Sequence, residues 1–169
     1  MGQGTFMATM NNIDYHNAIY KEVRSYLIGL FSCEVIKGYQ NDSPLPQNGV
    51  VMTIISERDT DQAASYYQEE EGTAYVQNSV EVMLQLDFYG DWAASRARQI
   101  ANFWRSEYTT SALNTCQPLY SKQPVRLPFV NEQNQNEQRW LLEVYLQYNP
   151  EFKQDQAFLD LPIISTERA

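Results

Sequence analysis

The stretch Tyr75-Val76-Gln77-Asn78-Ser79-Val80-Glu81-Val82-Met83-Leu84-Gln85-Leu86-Asp87-Phe88-Tyr89-Gly90 decides the fold. Val76, Asn78, Val80, Val82, Leu84, Leu86 and Phe88 fall on one side of a two-residue repeat. Gln77, Ser79, Glu81, Met83, Gln85 and Asp87 fall on the other. Successive side chains of an extended chain point to opposite faces, so this alternation predicts an antiparallel strand with one face buried. From Tyr75 to Phe88 such a strand runs about 46 Å at ~3.3 Å per residue. Strands usually have about 5–6 residues. The excess predicts a ribbon that leaves its own core and reaches a neighbouring subunit.

Upstream, the polar residues 60–73 end in Glu69, Glu70, Glu71 and Gly72 and read as the far end of a long hairpin. Its outgoing strand is the β-branched run Val50 to Ile55, closed by Glu57, Arg58 and Asp59. Tyr39 to Gly49 is loop, because Asn41, Asp42, Pro44, Pro46 and Asn48 favour turns. Cys33 to Lys37 is a short strand stopped by Gly38. Before it, Ile19, Val23, Tyr26, Leu27 and Leu30 share one face of a helix over residues 14–31. Asp14 is its expected N-cap, Lys21, Glu22 and Ser25 its polar side, and Gly29 weakens its last turn. Residues 1–13 read as a flexible N-terminal arm.

Downstream, Gly90 stops the strand and Asp91 is placed to cap a helix. Ala94, Ala97, Ile100, Ala101 and Trp104 form its stripe, and the alanines allow a close approach to a sheet. It should end near Ser106, with a helical turn over 109–115. Leu119 to Leu127, between Pro118 and Pro128, is a third β region. Pro124 lacks the N–H that a ladder needs and makes it an edge strand. Residues 131–138 form a polar turn. Trp140, Leu142, Val144, Leu146 and Tyr148 then alternate with Arg139, Leu141, Glu143, Tyr145 and Gln147 as a second good strand, ended by Asn149 and Pro150. The apolar run Phe158 to Leu161, with Ile163 and Ile164, reads as a docked C-terminal extension. The expectation is an α+β fold: an antiparallel sheet with a long β-hairpin, helices packed on one face, and a single domain over residues 14–169.

Composition bounds the function. A domain of 169 residues buries roughly 70% of its unfolded surface and needs neither disulfide nor metal to fold. Aromatic residues make up 13%, with 12 Tyr, a usage suited to extensive protein interfaces. The net charge of −9 argues against a dedicated nucleic-acid binder, whose affinity comes from Lys and Arg on phosphates. An acidic wall still suits a channel through which DNA slides. Arg96, Arg98 and Arg105 are the one local gathering of basic residues, with Arg96 and Arg98 expected on the solvent side of their helix.

The chemistry of catalysis is missing. There is no P-loop, GxGxxG or GxSxG. Every Ser-His or Cys-His pair must use His16, the single histidine, expected to be solvated or locally bonded near the start of its helix. Cys33 and Cys116 lie in no CxxC and near no histidine, so they read as buried free thiols rather than zinc ligands, with a disulfide left open. Glu69, Glu70 and Glu71 read as a solvated hairpin end, since no EF-hand spacing accompanies them. Asp87 reads as a polar-face or turn residue. No catalytic, cofactor-binding or metal-binding residue is assigned. The N-terminus has no signal-peptide pattern, and no run approaches the ~20 apolar residues of a membrane span.

Several of these segments together resemble the neck or tail terminator proteins of long-tailed bacteriophages. They are the loop Asn41-Asp42-Ser43-Pro44-Leu45-Pro46, the strand and turn Val80 to Gly90 ending in Leu86-Asp87-Phe88-Tyr89-Gly90, and the alanine-rich helix after it. Leu127-Pro128-Phe129, Arg139, Leu142 and the strand end Tyr148-Asn149-Pro150 complete the set. Their order and spacing over about residues 14–162 carry the resemblance. It implies a small α+β protein that forms a ring, usually a hexamer, on the last ring of the tail tube. That ring stops polymerisation and offers a surface to the head–tail connector and neck proteins, with the tail sheath a further candidate partner and genomic DNA passing through the lumen. It implies no catalytic residue, cofactor or membrane, and a place in the virion after synthesis in the host cytoplasm. A head–tail connector or head completion protein is the nearest alternative. A small cytoplasmic ligand-binding protein or enzyme is the alternative from another class, and it lacks a cluster of convergent polar groups.

Overall fold

The computed structural model describes residues 14–39, 43–130 and 136–155. The chain begins with α1 (Tyr15–Phe31), capped as expected by the Asp14 carboxylate, which accepts from the Asn17 N–H at 2.9 Å. Ile19, Tyr20, Val23, Tyr26 and Leu27 are its buried stripe. Ser32, in the left-handed region at φ 48°, ends it, and its N–H reaches the Ile28 carbonyl. The short strand β1 (Glu34–Lys37) follows, then β2 (Gly49–Asp59).

The central hairpin pairs β2 with β5 (Val80–Tyr89), Val50 opposite Phe88 and Asp59 opposite Val80. A bulge at Ile55 shifts the register between Ile54 and Ser56. Strand β8 (Asn136–Tyr148) pairs along the other side of β5, from Val80 opposite Tyr148 to Tyr89 opposite Arg139. The alternation read from sequence is therefore real. Val80, Val82, Leu84, Leu86 and Phe88 all enter one core with Leu142, Val144 and Leu146, beneath α1 and α2 (Ala93–Phe103). Burying each large side chain is worth about 1.5–3 kcal/mol. Ala93 and Ala97 are fully buried, so α2 sits close on the sheet, and Trp104 just past it donates its indole N–H to the Tyr145 carbonyl at 2.8 Å.

The order of the main sheet is β1-β2-β5-β8-β6, with β7 also on β8. β6 (Gln117–Ser121) and β7 (Val125–Val130) are one edge, broken at residues 122–124, where Pro124 was expected to spoil a ladder. The helical turn expected at 109–115 is α3 (Glu107–Ala112), starting earlier because the Ser106 side chain caps it.

Four details depart from the sequence reading. The sheet is mixed, because β1 runs parallel to β2. The long return strand is broken: β4 (Thr73–Gln77) and β5 are separate, since Thr60 and Asp61 bond Ser79 and pin the crossing. The outer part, β3 (Ala64–Gln68) and β4, gains a third strand, β9 (Glu151–Asp155), so it is a small sheet of order β3-β4-β9. Asp91 does not cap α2. Gly90 turns at φ 93°, and the cap position falls to Trp92, whose side chain makes no cap bond. The arm 1–13 and the run 158–164 lie outside the described residues.

Candidate assembly surfaces

The small sheet is largely exposed or half-buried. Of its described side chains only Thr73 is buried. Tyr66, Tyr75 and Lys153 lie opposite one another across its three strands. The Tyr66 and Tyr75 rings stack at 5.1 Å, and Lys153 lies 6.0 Å from the Tyr75 ring. The Tyr66 hydroxyl donates to Glu151 and the Tyr75 hydroxyl to Glu71, each at 2.7 Å. The bond to Glu71, with some burial, pushes the Tyr75 hydroxyl up to about 12. Glu69, Glu70 and Glu71 form a single 3₁₀ turn at the tip, and Gly72 closes it in the left-handed region at φ 62°. All three carboxylates are exposed, as expected of a solvated hairpin end.

The base of this sheet is tied to the core by aromatic contacts. Tyr15, at the start of α1, packs on Tyr148 and Phe152 with ring centroids 5.5 and 6.1 Å apart. Glu57 accepts from the Tyr148 hydroxyl at 2.7 Å and also meets His16. The lone histidine is thus locally bonded at a structural junction. Burial first, then the bond to Glu57, raises the Tyr148 hydroxyl above its ordinary value.

The face of the main sheet turned away from the helices carries two buried acids, each held by an arginine: Glu81, which accepts from Arg58 Nε at 2.8 Å, and Asp87. Arg139 donates to the Asp87 carboxylate through Nε and Nη2, both at 2.9 Å, and Gln85 donates to the other oxygen at 2.6 Å. Asp87 is only 3% exposed, so its role on this face is a paired buried acid rather than a turn capper. Residues 43–48 run beside a concavity of about 330 Å³ whose lining includes Ile36, Leu45, Val51, Ile55, Asp87 and Arg139. Further along the same face Tyr120 stacks on Tyr145 at 4.4 Å, and Lys122 pairs with Glu143.

The arginines of the second helix separate. Arg98 is exposed and bonds Gln123, as a solvent-side residue would. Arg96 is drawn inward, donating to Asn48 at 2.7 Å and lying 5.7 Å from the Phe31 ring. A basic grouping that the linear reading missed lies at the opposite sheet edge. Lys21 and Arg24 of α1 and Lys37 of β1 line a cleft of about 290 Å³ with Asn17, Tyr20, Val35, Ile36 and Met52. Its signal in sequence is slight, since the i, i+3 pair and Lys37 belong to separate elements.

Both cysteines are free thiols. Burial, then the neighbouring Glu22 carboxylate, pushes Cys116 up to about 12, and burial raises Cys33. Glu22 accepts from the Asn114 and Thr115 N–H groups, so it joins α1 to the loop after α3. Among the described residues no group of three or more His, Cys, Asp or Glu is placed to hold a metal, and no helix is long and apolar enough to cross a membrane.

The described fold is a helix-backed sheet with an outlying small sheet tied to it. The model of the phage neck terminator protein family matches residues 17–168. The chain belongs to that family, and its role is that of a structural protein of the phage neck. No curated protein matches it.

Proposed function

We propose that the protein is a tail terminator, one domain over residues 14–169 behind an arm of residues 1–13. Copies close into a ring, a hexamer by the family resemblance, on the last ring of the tail tube. The ring stops tube growth and presents its other side to the head–tail connector and neck proteins, and to the sheath where the tail has one. DNA passes through its lumen without specific binding, consistent with a net charge of −9. The protein is made in the host cytoplasm, ends in the virion, and uses no active site, cofactor or metal.

The observation that carries this reading is the sheet β3-β4-β9, whose outer strands β3 and β9 are both edges among the described residues. Edge strands present unpaired N–H and C=O groups that a second chain can meet, and head-to-tail contacts that close make rings. The test is electron microscopy and native mass measurement of the purified chain beside one shortened at residues 66–72. Closed rings from the full chain and folded monomers from the shortened one support the reading. Rings from both remove the small sheet as the assembly element, and a strict monomer carrying a bound metabolite contradicts the ring.

A further inference from the structure

Resting on that reading of a self-assembling ring, we propose that the cleft between α1 and β1 is the seat of the acidic ribbon tip of a neighbouring copy. Lys21, Arg24 and Lys37 are all exposed and converge on this cleft. Lys21 and Arg24 stand one turn apart on one side of α1. Arg24 is held in place by its Nε bond to the Val35 carbonyl at 2.9 Å, and the Lys37 ammonium by the Tyr20 ring at 4.5 Å. Neither contact neutralises a charge. Among the described residues no carboxylate lines the cleft, and none of the three takes part in an ion pair. In a chain with 21 acidic and 12 basic residues, an unpaired basic trio is an uncommon local excess.

The complementary group is on the same chain. Glu69, Glu70 and Glu71 stand together at the end of the small sheet. Glu71 is engaged by the Tyr75 hydroxyl and lies 3.9 Å from Lys153, which leaves the exposed Glu69 and Glu70 to face outward. The cleft runs along β1, the outer strand of the main sheet, while the tip belongs to the other sheet. Donor and receiver are thus different surfaces of one protomer. Contacts between unlike surfaces propagate head to tail and close into a ring. Opposite potentials on the two surfaces steer the encounter and fix its register more than they add affinity.

A charge exchange tests this. One chain carries Glu69→Lys and Glu70→Lys, and a second carries Lys21→Glu and Arg24→Glu. Each alone opposes like charges at every junction and should stay monomeric at concentrations where the wild type forms rings. Mixed in equal amounts they pair tip to cleft in alternation, and rings should return. All four side chains are exposed, so each variant should keep the circular dichroism of the wild type, and only the second, which loses the Arg24 bond to the Val35 carbonyl, should show a slightly lower unfolding midpoint. A neutral chain, Glu69→Gln with Glu70→Gln, should assemble roughly twofold to thirtyfold more weakly, as for two exposed ion pairs. Rings from either reversed chain alone, or folded variants that stay monomeric when mixed, overturn the proposal while leaving the ring itself standing. A wild type that forms no ring overturns the ring reading and this one with it.

Discussion

The Tyr15 hydroxyl accepts from the Glu151 amide and donates to the Glu151 carbonyl, both at 3.0 Å. One side-chain atom at the start of α1 thus closes both outward backbone groups at the first residue of β9. It blocks that edge at its base and ties the small sheet to the core.

Tyr15→Phe keeps the ring contacts and removes both bonds, leaving a half-buried amide and carbonyl to find water. The expected cost is about 1–2 kcal/mol, and it should be local. Hydrogen exchange should speed up at residues 151–155 and 73–77 and change little in β5 and β8. Uniform loss of protection across both sheets would show that the small sheet is not a separate cooperative unit.

Arg139→Ala strands the Asp87 carboxylate on the sheet. Breaking a buried pair typically costs about 3–5 kcal/mol. The Arg139 side chain keeps 27% of its surface, so the low end, about 3 kcal/mol, is expected from urea unfolding. The double variant Asp87→Leu with Arg139→Leu removes both charges and should recover most of the loss. A double variant as unstable as the single one would show that the pair does more than neutralise itself.

Alkali should unfold the protein through its tyrosines. Burial raises Tyr20, Tyr26, Tyr89 and Tyr148 above the ordinary 10.0. Below pH 10 both states hold these phenolic protons and the tyrosine contribution to stability is at its full value. Above it the unfolded chain binds fewer protons than the folded one, so stability falls as pH rises towards the folded values. Urea midpoints should begin to fall near pH 9, where unfolded thiols ionise while the buried Cys116 and Cys33 hold their protons, and should drop further beyond about pH 10. Midpoints that stay level well above pH 10 contradict the assignment.

Much of this architecture was legible because local pattern and tertiary role agree. The alternation from Val80 to Phe88 survives because its apolar face meets α1 and α2. Asp14 caps α1, and Pro124 interrupts an edge, because both effects act within a residue or three. What was not legible depends on partners distant in sequence. The run from Tyr75 to Phe88 reads as one strand, and only the bonds from Thr60 and Asp61 to Ser79 break it. Glu151 to Asp155 has no strand-like composition, and its pairing with β4 makes it one. Asp87 found its partner 52 residues later in Arg139, and Lys21, Arg24 and Lys37 converge only when β1 docks beside α1. The surfaces proposed for assembly were the least visible, because nothing among the described residues completes them.

The most direct test of the central claim is tail length in a phage whose copy of this gene is disrupted, measured by negative-stain electron microscopy. A tail terminator predicts filled heads beside overlong or ragged, unattached tails. Tails of normal length, whether detached from their heads or carried on intact particles, would contradict it.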